Sequence, residues 1–456
     1  MQNKQSLNKK SYVFKTKKGL NETIVKQISE QKNEPGWMTD IRLRALSIFY
    51  EKKMPTWGAD LSGLHLDDIT YYLKPIEAQH NQWSDVPVDI KKTFDKLGIP
   101  QAEQKFLAGV GAQYESEIVY KRLKQEWVDA GVIFIDTSQG IRDHEALFRK
   151  YFSSVIPAHD NKFAALNSAV WSGGSFIFVP QGVKIDLPLQ AYFRINSAQL
   201  GQFERTLIIA ESGSFVHYVE GCSAPLYKKQ SLHSAVVELI ALDGAHIRYT
   251  TIQNWATDIY NLVTKRGIAY KNAHIEWIDG NFGSKATMKY PCVVLKEEGA
   301  SATVVSIAVS KKGQHQDSGG KVIHLASNTK SSIIAKSISS GGGKNTYRGL
   351  VKIAKHAENV TALVQCDALL CDEQSTTETY PVVDIKNGST SFCHEATVKT
   401  LDADLIFYLQ SRGFTGQYAK SFMIHGFVDI FVSKLPMEYA VEINRFLDLE
   451  LEGSVG

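Results

Sequence analysis

The stretch Gly213-Ser214-Phe215-Val216-His217-Tyr218 decides how this chain reads, because it returns. Gly244-Ala245-His246-Ile247-Arg248-Tyr249, Asn272-Ala273-His274-Ile275-Glu276-Trp277 and Gly299-Ala300-Ser301-Ala302-Thr303-Val304 echo it at intervals of roughly 27 to 31 residues. Each copy is a turn residue, a small residue and then an alternating run. One such unit cannot bury its apolar face alone, so the units must stack. The repeat predicts a β-solenoid over residues 156–400, making the chain mainly β. A β-sandwich is the main alternative; it explains the strands but not the repeated turn.

The surrounding sequence agrees with a stack. Phe176–Val179, Thr206–Ile209, Ala235–Ile240 and Ile268–Tyr270 are short apolar or alternating runs with Gly, Asp or Asn close by, which is how strands read. Residues 1–155 read as helical and irregular, with helical spacing over Asn21–Glu30, Thr39–Lys52 and Glu115–Ala130. Residues 401–456 return to the helical period: Leu405–Arg412 ends at Gly413, and Gln417–Ser433 and Met437–Leu451 follow. A repeat array needs capped ends, and helical domains at both ends supply them.

Composition narrows the function classes. The chain has 456 residues, a net charge of +3 and 43% hydrophobic content, ordinary for a soluble globular protein. So small a charge, with no basic stripe among aromatics, argues against nucleic acid. No apolar run reaches the length of a membrane span. Residues 1–18 are Lys-rich without an apolar core or an Arg, which argues against secretory and organelle signals and for a cytoplasmic protein. Five cysteines, an odd number, fit free thiols in a reducing compartment.

Those cysteines carry the chemistry. Cys222 lies in Gly221-Cys222-Ser223-Ala224-Pro225, which reads as a turn that exposes a thiolate. Cys366 and Cys371 differ by an odd offset, so on a strand they face opposite ways. In Ser391-Phe392-Cys393-His394-Glu395, a strand would put Cys393 and Glu395 on one face and His394 on the other. Each of these has a plainer reading, a buried inert thiol or a solvated polar run. No C-x-x-C pair occurs, so the thiols can meet only through folding or assembly, which favours sulfur chemistry or iron–sulfur ligation over a local zinc clip. Gly341-Gly342-Gly343-Lys344 lacks the frame of a phosphate loop, Asn345 following the Lys, and reads as a solenoid turn.

The same residues resemble the SufB/SufD family of the SUF iron–sulfur cluster assembly system, on its SufB side. The likeness covers nearly the whole chain. It includes Pro35-Gly-Trp-Met38, Met54-Pro-Thr-Trp-Gly-Ala-Asp-Leu-Ser62, Asp67–Pro75, Gly221–Pro225, Gln253-Asn-Trp255, Val263-Thr-Lys-Arg-Gly267, Gln365-Cys-Asp367, His394-Glu-Ala-Thr397 and the tail Leu451–Gly456. The resemblance implies a right-handed parallel β-helix flanked by helical domains, acting as a scaffold rather than an enzyme. It implies Cys222 as acceptor of persulfide sulfur, and Arg194, Asn196, Gln253, Trp255 and Lys265 along a sulfur path. It implies Cys366 and Glu395 at a nascent iron–sulfur cluster, with Cys393 and His394 as further candidate ligands. Many relatives carry Glu where this chain has Cys393, which leaves the ligand set open there. The implied partners are the ATPase SufC, meeting the C-terminal helices, SufD or a second SufB, and a cysteine desulfurase with its sulfur-transfer protein (SufS with SufE or SufU type). The resemblance also allows reduced flavin in the complex.

Two rivals remain open at this level. A β-helix enzyme acting on polysaccharide would present a carboxylate groove and be indifferent to Cys366. A structural clamp for the ATPase would bind it without handling sulfur or iron.

Overall fold

The computed structural model describes residues 12–77, 79–80, 82–88, 90–91, 107–226, 230–435 and 440. The four repeated turns are its corners. Gly213, Gly244, Asn272 and Gly299 all adopt the left-handed conformation, with φ of 69°, 66°, 55° and 71°, and Asn328 and Asn359 continue the row. This conformation favours Gly and Asn, which is why those residues mark the repeat. The corners are tied coil to coil: the Gly213 amide donates to the Asp243 carbonyl, Gly244 to Lys271, Asn272 to Glu298 and Gly299 to Ser327.

Between the corners run long parallel strands. Leu189–Arg194, Phe215–Ser223, His246–Trp255, His274–Gly283, Ser301–Ser310, Lys330–Ser339, Val360–Leu370 and Thr390–Thr400 lie side by side in one sheet of about eight turns. A second sheet faces it, running from Ile133–Asp136 and Ser175–Val179 through Arg205–Ala210, Val236–Ala241 and Ile259–Ala269 to Lys344–Ile353 and Thr376–Ile385. Val216, Tyr218, Ile247, Tyr249, Ile275 and Trp277 of the first sheet pack between the sheets with Ile208, Val237, Leu239 and Val293 of the second. The β-solenoid is therefore as expected. The sandwich fails because each strand's neighbour is the same strand one turn on.

Helices cover the outside. Glu22–Gln31 is capped by Asn21, and Gly36–Glu51 follows it; both pack with Leu262, Ala286 and Met288 on the outer face of the second sheet. Gly416–Val432 lays Ile424, Val428 and Phe431 on Val219, Ile252, Ile278 and Val305, the outer face of the first sheet. Helix Ala403–Ser411 ends before Gly413, whose φ is 93°. The helical reading of Glu115–Ala130 is wrong over most of its length. Glu117–Leu123 is a strand paired with Gly109–Tyr114, and only Gln125–Asp129 is helical. Its β-branched and aromatic residues extend the sheet, a demand of tertiary structure that local spacing does not report. The helix expected over Met437–Leu451 and the tail to Gly456 lie outside the described residues, Ala440 excepted. Glycines 341 and 342 form a turn as read, and their amides are filled by Asp372 and Ser375.

One buried ion pair fastens the N-terminal segment to the solenoid. Arg205 and Glu238 are both fully buried and meet at 2.7 Å. Glu238 also accepts from the backbone amides of Ser153, Val155 and Ile156. Removing one partner of such a pair strands the other charge in a low-dielectric site. Glu238→Ala should therefore cost about 3–5 kcal/mol, read from the urea midpoint. A loss under about 1 kcal/mol, the worth of an exposed pair, would show that the contact fastens nothing.

Candidate sulfur and cluster site

Cys222 is not on an exposed turn. It is the eighth residue of the strand Phe215–Ser223, lies 2% exposed and points between the sheets. Gly221 and Ser223 continue the strand, so the turn read from Gly-Cys-Ser-Ala-Pro begins only after it. The parallel register sets Cys222 beside Phe193 on one side and Gln253 on the other.

Around this thiol the interior turns polar. The Cys222 thiol donates to Glu220 at 3.5 Å, and Tyr249 donates to the other oxygen of Glu220 at 2.5 Å. Gln253 accepts from Asn261 at 2.6 Å, and Asn261 faces His233 Nδ1 at 2.7 Å. Trp255 lies against the His233 ring with centroids 4.7 Å apart. Lys265 and Lys289 bracket Asp279 at 3.3 and 2.9 Å, and Asn281 donates to the same carboxylate. Burial pushes the Cys222 thiol well above its ordinary range, Glu220 and Glu204 push it further, and Lys265 and Lys289 pull it back. Burial also depresses the Lys289 ammonium to about 8. At neutral pH the thiol is protonated, and the two lysines favour its anion against that burial.

Register carries this polarity along the axis. The row Cys222, Gln253, Asn281, Ala308, Ser337, Ala368 crosses the first sheet strand by strand. Its neighbour two residues back is Glu220, Thr251, Asp279, Ser306, Ala335, Cys366. The facing sheet adds Asn261, Thr287, Gln316, Asn345 and Thr377 in one row. A strip of polar and small side chains therefore links two buried thiols. At about 4.8 Å per strand, five steps span roughly 24 Å.

Cys366 ends that strip. It is buried, faces the interior, and its thiol is pushed up to about 11, by burial first and then by Asp367. Its sulfur lies 3.8 Å from His394 Nε2 and 3.6 Å from the Glu395 carbonyl oxygen. The alternation expected around Cys393 holds. His394 is half-buried on the interior side, while Cys393 and Glu395 are exposed on the other face. The structure thus joins Cys366 to His394 and leaves the Glu395 carboxylate across the sheet. Cys371 falls just past the strand, packed outside against the C-terminal helix, and Cys292 lies on the outer face of the second sheet beside Arg266.

Of the expected path residues, Gln253, Trp255 and Lys265 gather near Cys222. Arg194 and Asn196 do not. Arg194 lies on the outward side of its strand and donates to Ser223 at 2.9 Å, and Asn196 binds Tyr114 and Glu115. Glu204, Glu220, His233, Asn261, Asp279 and Lys289 were missed. Their signal was a polar residue at a position of the alternating pattern that should be apolar.

Comparison with known proteins gives the family. Residues 193–427 match the model described as SUF system FeS cluster assembly, SufBD core domain, and residues 22–191 match the SufBD protein N-terminal region. The chain belongs to the SufB/SufD family. It is 56% identical over 444 residues to an iron-sulfur cluster assembly SufBD family protein of Staphylococcus aureus strain USA300, with 97% of this chain and 96% of that one covered. The corresponding protein of Staphylococcus epidermidis is similar to the same degree and extent. As a SufB/SufD family member it is a component of iron–sulfur cluster assembly. Among the described residues no helix is long and apolar enough to cross a membrane. The expectation of a flavin finds no support there.

Proposed function

We propose that this chain is the SufB-type scaffold of a SUF assembly complex. Cys222 accepts sulfane sulfur from a cysteine desulfurase system, the interior strip carries it, and a nascent iron–sulfur cluster forms at the Cys366 end before transfer to apo-proteins. The observation that carries this reading is the polar strip. Buried polar groups cost stability unless they are satisfied, and a solenoid core needs none of them. A strip running from one buried thiol to another is a route for an anion that must not meet water. The lysines at Cys222 would stabilise a migrating persulfide, and iron is the other substrate.

The chain would not act alone. Among the described residues, Thr376–Ile385 and Thr390–Thr400 each pair on one side only and end their sheets. They expose Tyr380, Val382, Val383, Ile385 and Val398. Such an edge invites strand pairing, which suits a second SufB or a SufD. ATP hydrolysis would come from SufC on the C-terminal helices, which expose Leu405, Phe407, Tyr408, Tyr418 and Phe422. Phe422, 63% exposed, stands on a helix whose opposite face is buried, so Phe422→Asp should remove a contact without unfolding the helix. Co-purification with SufC should fall to background in that variant; undiminished binding would move the ATPase elsewhere.

Anaerobic reconstitution of the chain with its partners, followed by iron and acid-labile sulfide analysis, tests the scaffold role. Matched iron and sulfide, lost in Cys222→Ser and Cys366→Ser, are expected. Stable assembly with SufC but no iron or sulfide would make the chain a clamp. Normal cluster yield without Cys366 would remove the thiol from the mechanism.

A further inference from the structure

We infer that Glu204, Cys222 and His233 form a binding site for a borderline divalent transition metal, of the Fe²⁺ or Zn²⁺ class, beside the sulfur-accepting thiol. The site's physiological role rests on the function proposed above; the binding itself does not. The three residues are buried, and one ligand atom from each lies within 4.8 Å of the others. Thiolate, imidazole and carboxylate together suit such an ion rather than Mg²⁺ or Ca²⁺.

Hydrogen bonding prepares the imidazole. Asn261 spends its amide group on Gln253 at 2.6 Å and Thr287 at 3.3 Å. Its carbonyl oxygen therefore accepts from His233 Nδ1–H, which turns Nε2 toward Glu204 at 2.5 Å. A hydrogen bond between this nitrogen and the carboxylate oxygen needs a proton between them. This is the arrangement of metal-ligating histidines, whose other ring nitrogen is held by a hydrogen bond. The second oxygen of Glu204 has no hydrogen-bond partner among the described residues, although the side chain is fully buried. A buried carboxylate oxygen left unpaired is a cost that a metal would remove.

The proton balance closes. Without metal the site holds one proton on the Cys222 thiol and one between His233 and Glu204. A divalent ion displaces both and bonds sulfur, Nε2 and a carboxylate oxygen. Two positive charges leave and two enter, so a water-poor interior is not asked to hold new net charge. Three protein ligands leave a tetrahedral ion one open position, into which a sulfur atom could be delivered.

Co²⁺ is the probe, added anaerobically to the full chain carrying Cys393→Ser to silence the exposed thiol. A sulfur-to-cobalt charge-transfer band with tetrahedral visible absorption is expected, with about two protons released per metal on calorimetry in buffers of differing ionisation enthalpy. His233→Gln and Glu204→Gln should abolish the band. Asn261→Ala should weaken affinity about 10–100-fold, the usual effect of losing a residue that orients a ligand. Circular dichroism checks folding, and Glu204→Asp provides a second, conservative variant should Glu204→Gln unfold. Absence of the band in the parent, or its survival in His233→Gln, overturns the inference. Sulfur loading of Cys222 measured on the same parent protein separates the two readings. Loading without cobalt binding in the parent sinks the metal site alone, whereas cobalt binding without loading sinks the sulfur acceptor alone.

Discussion

Protein-bound sulfur should fall to background when Cys222 is replaced by Ser and the chain is incubated with a cysteine desulfurase and its sulfur-transfer partner. Mass spectrometry on the wild type should find the added sulfur on the peptide carrying Cys222. The expectation is not that Cys222 is the most accessible thiol, because Cys393 is exposed and Cys222 is buried. It rests on what surrounds each sulfur. Attack on a sulfane sulfur needs a thiolate, and the persulfide that results is an anion needing cations and exclusion of water. Among the described residues only Cys222 faces two buried lysines, Lys265 and Lys289, that act on its charge from within the solenoid. Stray labelling of Cys393 is controlled by Cys393→Ser. Loading that persists undiminished in Cys222→Ser would end the assignment.

The direction of the thiol's shift adds a pH signature. Burial and two carboxylates raise Cys222, so at neutral pH the protonated form dominates and the loading rate should climb with pH by up to about tenfold per unit. Lys265→Met removes a group that pulls the thiol down. It raises the thiol further and displaces the profile to higher pH, slowing loading at fixed neutral pH while the maximum at high pH is approached later. A Lys265→Met profile that superimposes on the wild type would show that the lysine does not act on the sulfur.

How much of this was legible beforehand depends on the length scale of each constraint. The corners were readable because a left-handed turn selects Gly or Asn locally, at Gly213, Gly244, Asn272 and Gly299. The faces of Cys393, His394 and Glu395 were readable because strand alternation is local too. The depth of Cys222 was not. Gly221-Cys222-Ser223 contains turn formers, but the neighbouring strands Leu189–Arg194 and His246–Trp255 pair with these residues and hold them in the strand, which turns Cys222 inside. Arg194 was placed on the sulfur path by resemblance, whereas the alternation Leu189, Ala191, Phe193 already puts it on the outside. The Glu204–His233 contact joins residues 29 apart through the stacking of coils. No local pattern in one coil reports what the next coil sets beside it.

The second large effect concerns the open end. Cys366→Ser should abolish cluster formation, as should Glu395→Ala, whereas Cys292→Ser and Cys371→Ser should leave the yield unchanged. Cys292 and Cys371 sit outside the solenoid interior, away from the strip. Cys366 closes the strip with His394 at 3.8 Å, and its thiol, pushed up to about 11, must lose a proton to bind iron. Cluster yield should therefore rise with pH over the neutral range. Glu395 cannot reach the same iron from across its own sheet, since residues of opposite parity on a strand face apart. In the function proposed, its contribution comes at the unpaired edge of Thr390–Thr400, where a second subunit would complete the ligand set. Glu395→Ala should then lose cluster while the subunits still associate, and loss of association instead would make Glu395 an interface residue. Cys393 shares its face with Glu395, so Cys393→Ser is the decisive comparison. Retained yield is expected, because an exposed thiol is dispensable when a carboxylate two residues on faces the same way. Loss of cluster in Cys393→Ser, with folding intact by circular dichroism and association preserved, would instead place a thiolate in the ligand set.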